Sequence, residues 1–298
     1  MRVADAHCDT LTAFSSNPYR SLKAHWNVDK FAEVGGVLQY MAIFTDEQHS
    51  GVAATAFAVN HIGRALGQMP DTCKLLEYRK DFEESKINIV LALEGASPLV
   101  NDINNLYAFY KSGIRAITLT WNHRNFVGDG CENPYGLTKF GIDVVREMQR
   151  IGMIVDVSHL NPAGFEDVLK HTERPFMASH SNAFSIQSHR RNLTDDQIKE
   201  IIARKGFIGL NFYSEFIGKD SETLVDSFLA HVEHFIKLGG ENALGLGSDF
   251  DGMAKSPFAD ALAFPQIESL LRNSLCLSDD VIDKIMYKNL VKFTLENI

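Results

Sequence analysis

Eight short apolar, β-rich runs punctuate this chain, each separated from the next by a longer stretch of helical character. This alternation constrains the fold more than any other feature. The runs lie at Val3–Ala6, Val37–Phe44, Ile87–Leu93, Ile114–Leu119, Met153–Val157, Pro175–Ala178, Phe207–Asn211 and Leu244–Gly247. Strands that alternate with helices pair in parallel, because each helix carries the chain back to the starting edge, and eight parallel strands close a barrel. Between the runs, apolar residues recur at three- and four-residue spacing, as in Leu137–Ile151, and Thr194 with Gln197 makes a capping box ahead of Ile198, Ile201 and Ile202. The chain has 298 residues, and such barrels commonly run to roughly 250 as one unit. No Pro- or Ser-rich linker and no internal repeat divides it. We therefore read residues 1–298 as a single α/β domain, a (β/α)8 TIM barrel. An open doubly wound sheet is the structural alternative, and it requires a reversal of strand order that sequence does not display.

Hydrophobic residues at 45% and charged residues at 22% suit a globular protein with a large buried core. The net charge of −9, from 38 acidic against 29 basic residues, comes without a run of like charges. That balance argues against a basic nucleic-acid surface and leaves small-molecule chemistry. The opening Met1-Arg2-Val3-Ala4-Asp5 leads into polar sequence without an apolar signal core, and nowhere do about 18 apolar residues run together. A cytoplasmic protein without a membrane partner is expected. Cys8, Cys73, Cys131 and Cys276 show neither disulfide nor thiolate-zinc spacing and read as free thiols.

Polar residues cluster where the apolar runs end. His7 and Asp9 lie two apart at the end of the first run, so an extended backbone turns both to one side as a chelating pair. Alone, they more often mark a polar strand end with a capping Asp. Glu94 closes the wholly apolar Ile89-Val90-Leu91-Ala92-Leu93 and is followed by Gly95 and Ala96. A buried carboxylate is costly unless paired or metal-bound, and its two oxygens can bridge two cations; a salt-bridged structural Glu is the other reading. His159 ends the fifth run in Asp156-Val157-Ser158-His159, and His180 ends the sixth in Met177-Ala178-Ser179-His180. Neutral imidazole is the commonest protein metal ligand, although a single such histidine is more often structural. In Ser248-Asp249-Phe250-Asp251-Gly252, Asp249 is placed to accept a proton from a metal-activated water and Asp251 to order the loop; an Asx-turn with Gly252 explains the pair equally well. What joins these residues is the barrel, whose strands all open their C-terminal ends onto one catalytic face. Separate structural reasons for His7, Asp9, Glu94, His159, His180 and Asp249 would each have to end a strand by coincidence.

These motifs resemble the renal, or membrane, dipeptidase family, zinc peptidase family M19, within the metallo-dependent, amidohydrolase-like barrels. The resemblance runs from Asp5-Ala6-His7-Cys8-Asp9 to Asp249-Phe250-Asp251-Gly252. Its most specific portion is Ser179-His180-Ser181-Asn182-Ala183-Phe184-Ser185-Ile186-Gln187-Ser188-His189-Arg190-Arg191-Asn192-Leu193, followed by Asp195 and Asp196. By position, the resemblance implies two zinc ions per chain, one on His7, Asp9 and Glu94 and the other on Glu94, His159 and His180, with Glu94 bridging. It further implies that a hydroxide between the ions attacks the peptide bond of a dipeptide. Asp249 then contacts that water and protonates the leaving amine, while Arg191 engages the substrate's C-terminal carboxylate and Tyr213 contacts substrate. A guanidinium does fork onto carboxylates, but an Arg-Arg pair before a helix is more often solvated surface, and a lone Tyr more often core or rim. The resemblance also implies a homodimer and acceptance of a D-amino acid at the carboxyl end.

One departure stands out. The family's substrate-binding histidine falls here on Trp121, in Leu119-Thr120-Trp121-Asn122-His123-Arg124. Tryptophan has no accepting nitrogen, so either His123 reaches the region or Trp121 walls the pocket. The other histidines, including His231 and His234, read as surface, and the Gly128-Asp129-Gly130 segment reads as loop. Gly239-Gly240 and Gly245-Leu246-Gly247 lack the Lys-Ser/Thr ending of a phosphate loop. Two rival functions fit the same barrel: an amidohydrolase of N-acyl amino acids or lactams, and a non-catalytic ligand-binding barrel. The intact set of six acidic and imidazole side chains argues against the second.

Overall fold

The computed structural model describes residues 1–14, 16–46, 48–219 and 223–298. Among them, nine parallel strands form one sheet: β1 (Val3–Cys8), β2 (Gly36–Phe44), β3 (Cys73–Leu75), β4 (Ile87–Glu94), β5 (Ile114–Thr118), β6 (Ile154–Asp156), β7 (Met177–Ala178), β8 (Phe207–Leu210) and β9 (Leu244–Leu246). The order β2-β1-β9-β8-β7-β6-β5-β4 closes on itself because β2 also pairs with β4, from Leu38 opposite Asn88 to Phe44 opposite Glu94. This ring of eight is the TIM barrel, and each apolar run read from sequence supplies one of its strands. The ninth strand, β3, pairs with Ile87, Asn88 and Ile89 at the start of β4, before β5 joins that strand at Leu91. Sequence reasoning missed β3 because it is only three residues long with a lysine at its centre. β1 also runs further than expected, so His7 lies within the strand rather than past its end.

Helices cover the outside, and their ends follow local chemistry. The helix Lys139–Ile151 starts where the Thr138 side chain accepts from Gly141 N and stops at Gly152, whose φ of 78° suits glycine. It buries Val144, Val145 and Met148 against the barrel. The capping box at Thr194 and Gln197 is formed and starts the helix Asp195–Ala203. Among the described residues, no helix is long and apolar enough to cross a membrane.

Two-residue periodicity divides each strand between the barrel's two faces. Leu38 and Tyr40 on β2, Val90 and Ala92 on β4, Ala116 on β5 and Ile154 on β6 form one apolar cluster, which packs against Leu290 and Phe293 of the helix Asn289–Asn297. Deep in this contact the Tyr40 hydroxyl meets Thr294 Oγ1 at 2.7 Å. Two residues further along the same faces stand Glu94, Thr118 and Asp156. The interior therefore changes from apolar to polar toward the C-terminal ends of the strands.

Candidate metal centre

The polar end of the barrel opens into a cavity of about 650 Å³ whose walls include Asp9, Glu94, His159, Arg191, Tyr213 and Asp249. Beneath it the side chains named from sequence converge. His7 Nε2 lies 3.4 Å from Asp9 Oδ2 and 3.4 Å from Glu94 Oε2. On the other Glu94 oxygen, Oε1, His159 Nε2 stands at 3.0 Å and His180 Nε2 at 3.6 Å. Donor atoms of Glu94, His159 and His180 all lie within 4.8 Å of one another, as do those of His7, Asp9 and Asp249. Glu94 thus faces one donor group with each oxygen.

Two imidazoles have their far nitrogens tied down. His159 Nδ1 is 2.8 Å from Asn122 Oδ1, an acceptor, so the proton sits on Nδ1 and Nε2 presents its lone pair to the cavity. His180 Nδ1 donates to Ser179 Oγ at 2.7 Å, and that hydroxyl donates onward to Asp156 Oδ2 at 2.5 Å. Asp156, His7 and His180 also stand within 4.8 Å of one another. Asp156, however, is already saturated. Its Oδ1 accepts from Ser158 N and Ser179 N, and its Oδ2 from Thr118 Oγ1 as well as Ser179 Oγ. By contrast, His7 Nε2 and Asp9 Oδ1 are buried without a hydrogen-bond partner. Buried polar atoms are seldom left so, and two of them aimed into a cluster of carboxylate and imidazole donors fit a cation. We read Asp156 as support and the other five as the donor set.

Electrostatics separate the imidazoles: burial acts to lower His7, but the Glu94 and Asp9 carboxylates beside it outweigh that and hold it well above its ordinary value, a proton that a cation bound there would displace. Burial, with Arg191 nearby, lowers His159 to about 4, and burial holds His180 well below its ordinary value, so both rings are neutral, as metal ligation requires. Burial raises Asp9 well above the ordinary carboxylate range, with Glu94 adding to the shift. Burial also pushes Asp249 up to about 6, with Glu94 again adding to the shift. Asp249 is held by Asn211 Nδ2, which donates to its Oδ2 at 3.0 Å. Three residues at the mouth, His159, Asp249 and Asp251, have left-handed backbones at φ of 68°, 62° and 67°. Such conformations cost of the order of 1 kcal/mol or more each and collect at functional sites. Gly252 has no room for a side chain, since a Cβ there would run into the Asp9 carboxylate.

The remaining residues named from sequence divide. Arg191 is buried beside the centre, donating from Nη2 to His180 O at 3.2 Å while its Nε lacks a partner. Its neighbour Arg190 is exposed and pairs with Glu132. Tyr213 lines the cavity next to Phe216, over which the Arg191 guanidinium sits at 5.2 Å. Trp121 is a wall, its ring 5.1 Å from that of Phe44 and 6.2 Å from that of His159. His123 instead lines a neighbouring cavity, 3.6 Å from Glu132. Asp251 orders its loop, accepting from Thr10 Oγ1, His25 N and Trp26 N. His231, expected at the surface, is fully buried: Ala183 N donates to its Nδ1, and its Nε2 reaches Ile217 O at 3.0 Å. His234, also read as surface, is part-buried and meets Asp195, 39 positions away, at 2.8 Å. Sequence reasoning missed Asn122, Asp156, Ser179 and Asn211. The signal was faint but present: Asp156 repeats the pattern of Glu94, a carboxylate closing an apolar strand.

Comparison with known proteins points the same way. The family model of the membrane dipeptidases, peptidase family M19, matches residues 1–297. An uncharacterized protein from the pqqA 5′ region of Klebsiella pneumoniae is 33% identical over 250 residues, spanning 80% of this chain and 92% of the relative. Among solved structures, the fold matches dipeptidase AC, a metallopeptidase of family M19, with a TM-score of 0.93 at 25% identity, covering 100% of this chain and 98% of that one. It matches equally, at a TM-score of 0.93 and 24% identity over 100% and 99% of the chains, a metallopeptidase from Rhodobacter sphaeroides bound to a phosphinate mimic of the dipeptide L-Ala-D-Ala.

Proposed function

From the premise that this chain belongs to the membrane dipeptidase family, peptidase family M19, and is thereby a metal-dependent dipeptidase, we propose that it cleaves dipeptides bearing a C-terminal D-amino acid with the help of two zinc ions. His7, Asp9 and Glu94 would hold one ion, and Glu94, His159 and His180 the other, in a protein that the family resemblance makes a homodimer. The observation that carries this reading is the pair of partnerless buried atoms, His7 Nε2 and Asp9 Oδ1, facing a carboxylate flanked on both oxygens by imidazole. When bound, the ions supply a water activated for attack near neutral pH and polarise the scissile carbonyl.

The chain's own side chains do the rest. Arg191 lies buried with an uncommitted Nε–H, and its planar fork takes the substrate carboxylate, orienting the peptide bond over the donor cluster. Asp249 is raised by burial to about 6, which suits a group that takes a proton from the attacking water and returns it to the leaving amine. Asn211 keeps that carboxylate aimed inward. Tyr213 and Trp121 flank the substrate, and the buried floor excludes bulk water.

The test is metal content measured together with hydrolysis of L-Ala-D-Ala, L-Ala-L-Ala and N-acetylated amino acids, before and after chelation. Close to two zinc ions per chain, hydrolysis of the D-terminal dipeptide above the others and loss of activity on chelation are expected. Less than one metal per chain, or activity indifferent to chelation, would sink the mechanism. Preferred cleavage of the acylated amino acids would move the enzyme to an amidohydrolase of that specificity.

A further inference from the structure

A second cavity, about 420 Å³, adjoins the metal-centre cavity at this end of the barrel. Both are bounded by Asp46, His49 and Trp121, so Trp121 stands on the partition between them. The far side is polar, with Thr45, Ser97, Arg124 and Asn133 on its walls.

Strand order fixes which end of a substrate meets this partition. Around the ring the strands run β1, β2, β4, β5, β6, β7, β8, β9. The second and sixth places are opposite in a ring of eight, so β7, whose following loop bears Arg191, stands across the mouth from β2, which ends at Phe44. Trp121 follows β5 and leans back toward β2, its ring edge-on to Phe44 at 5.1 Å. Gly95 lies close behind it with φ of 88°, where a Cβ would come 3.8 Å from Trp121 N. If Arg191 holds the carboxylate, as the proposed function has it, the amino-terminal residue of the substrate runs toward Phe44 and Trp121.

We infer that Trp121 is a specificity-determining residue that ends the amino-terminal half of the pocket, admitting a dipeptide and turning away a chain one residue longer. The second cavity is the space a third residue would need. An indole braced by Phe44 on one side and the His159 ring on the other presents a stiff surface, and packed interiors yield little to an intruding group.

The experiment compares zinc-loaded wild type with Trp121→Ala and Trp121→Phe. The probes are a phosphinate mimic of L-Ala-D-Ala and the same mimic extended by one alanine at its amino end, with binding read by calorimetry. Wild type is expected to favour the shorter probe strongly, Trp121→Ala to narrow that preference by about tenfold or more, and Trp121→Phe to keep most of it. Metal content and melting temperature establish that each variant is folded. Should Trp121→Ala fail to fold, Trp121→His removes the outer ring and is read in the same way. Unchanged discrimination in a folded small-residue variant, or a wild type that binds both probes equally, overturns the inference. A wild type that binds neither probe overturns both this inference and the dipeptidase reading. A wild type that binds the shorter probe yet hydrolyses no dipeptide defeats the functional reading alone, because the binding ratio still judges Trp121.

Discussion

His180 shows how much of this pocket depends on groups that do not face it. Its Nδ1 proton goes to Ser179, whose hydroxyl is committed to Asp156, so Nε2 is left to point at Glu94. Outer partners of this kind fix both tautomer and ring orientation, and their loss usually costs about 10- to 100-fold in metal affinity. Ser179→Ala should weaken zinc binding by about that factor, measured by competition against a chromogenic chelator, while leaving the fold intact. Asp249→Asn tests a different role. The amide is nearly isosteric and can still accept from Asn211, but it carries no exchangeable carboxyl proton, so turnover should fall by about 100-fold or more with metal content unchanged. Full turnover in that variant would remove Asp249 from proton transfer. Asp156 and Ser179 escaped the sequence reading because supporting residues are defined by which hydrogen bonds they complete, and those partners come from other strands.

Two elements away from the pocket set its stability. The helix Asn289–Asn297 closes the base of the barrel, with Leu290 and Phe293 against the apolar ends of the strands. Truncating a buried phenylalanine leaves a cavity that the ring of strands cannot collapse into, so Phe293→Ala should cost about 3–5 kcal/mol in denaturant unfolding. Zinc content should stay unchanged. The helix Leu224–Lys237 carries His231, which bonds Ala183 N and Ile217 O and so anchors the loop that bears Arg191. Burial lowers His231 to about 4, below the ~6.5 of an unfolded histidine. Between those values the unfolded chain binds a proton that the native chain refuses. Stability therefore falls as pH drops from about 6.5 toward 4, by up to ~1.4 kcal/mol per pH unit from this group. His231→Gln should flatten that part of the pH–stability curve even if it lowers stability overall; an unchanged slope would show that His231 is not the group responsible.

At the scale of the whole molecule, the metal centre is also a concentration of charge. Asp9, Glu94, Asp156 and Asp249 are buried at one end of the barrel, with Arg191 the fixed cation among them. Cations that bind only the folded chain stabilise it by mass action, about 4 kcal/mol at a thousand times the dissociation constant. Chelation should lower the melting temperature and zinc should restore it, read by calorimetry; a melting temperature blind to both would argue that no cation is held. Sequence alone determined the alternation of eight strands with amphipathic helices, which leaves few ways to bury both faces of a parallel sheet, a closed barrel and an open doubly wound sheet among them. It also put His7, Asp9, Glu94, His159, His180 and Asp249 at one end, since strand ends are local features. Contact was another matter. That β2 pairs with β4 to close the ring, that His231 is core rather than surface, that Asp156 supports rather than faces the centre, and that Trp121 divides two cavities while His123 belongs to the second were decided by tertiary structure. Each depends on which distant segments share a surface, and strand pairing and packing settle that only once the barrel has closed.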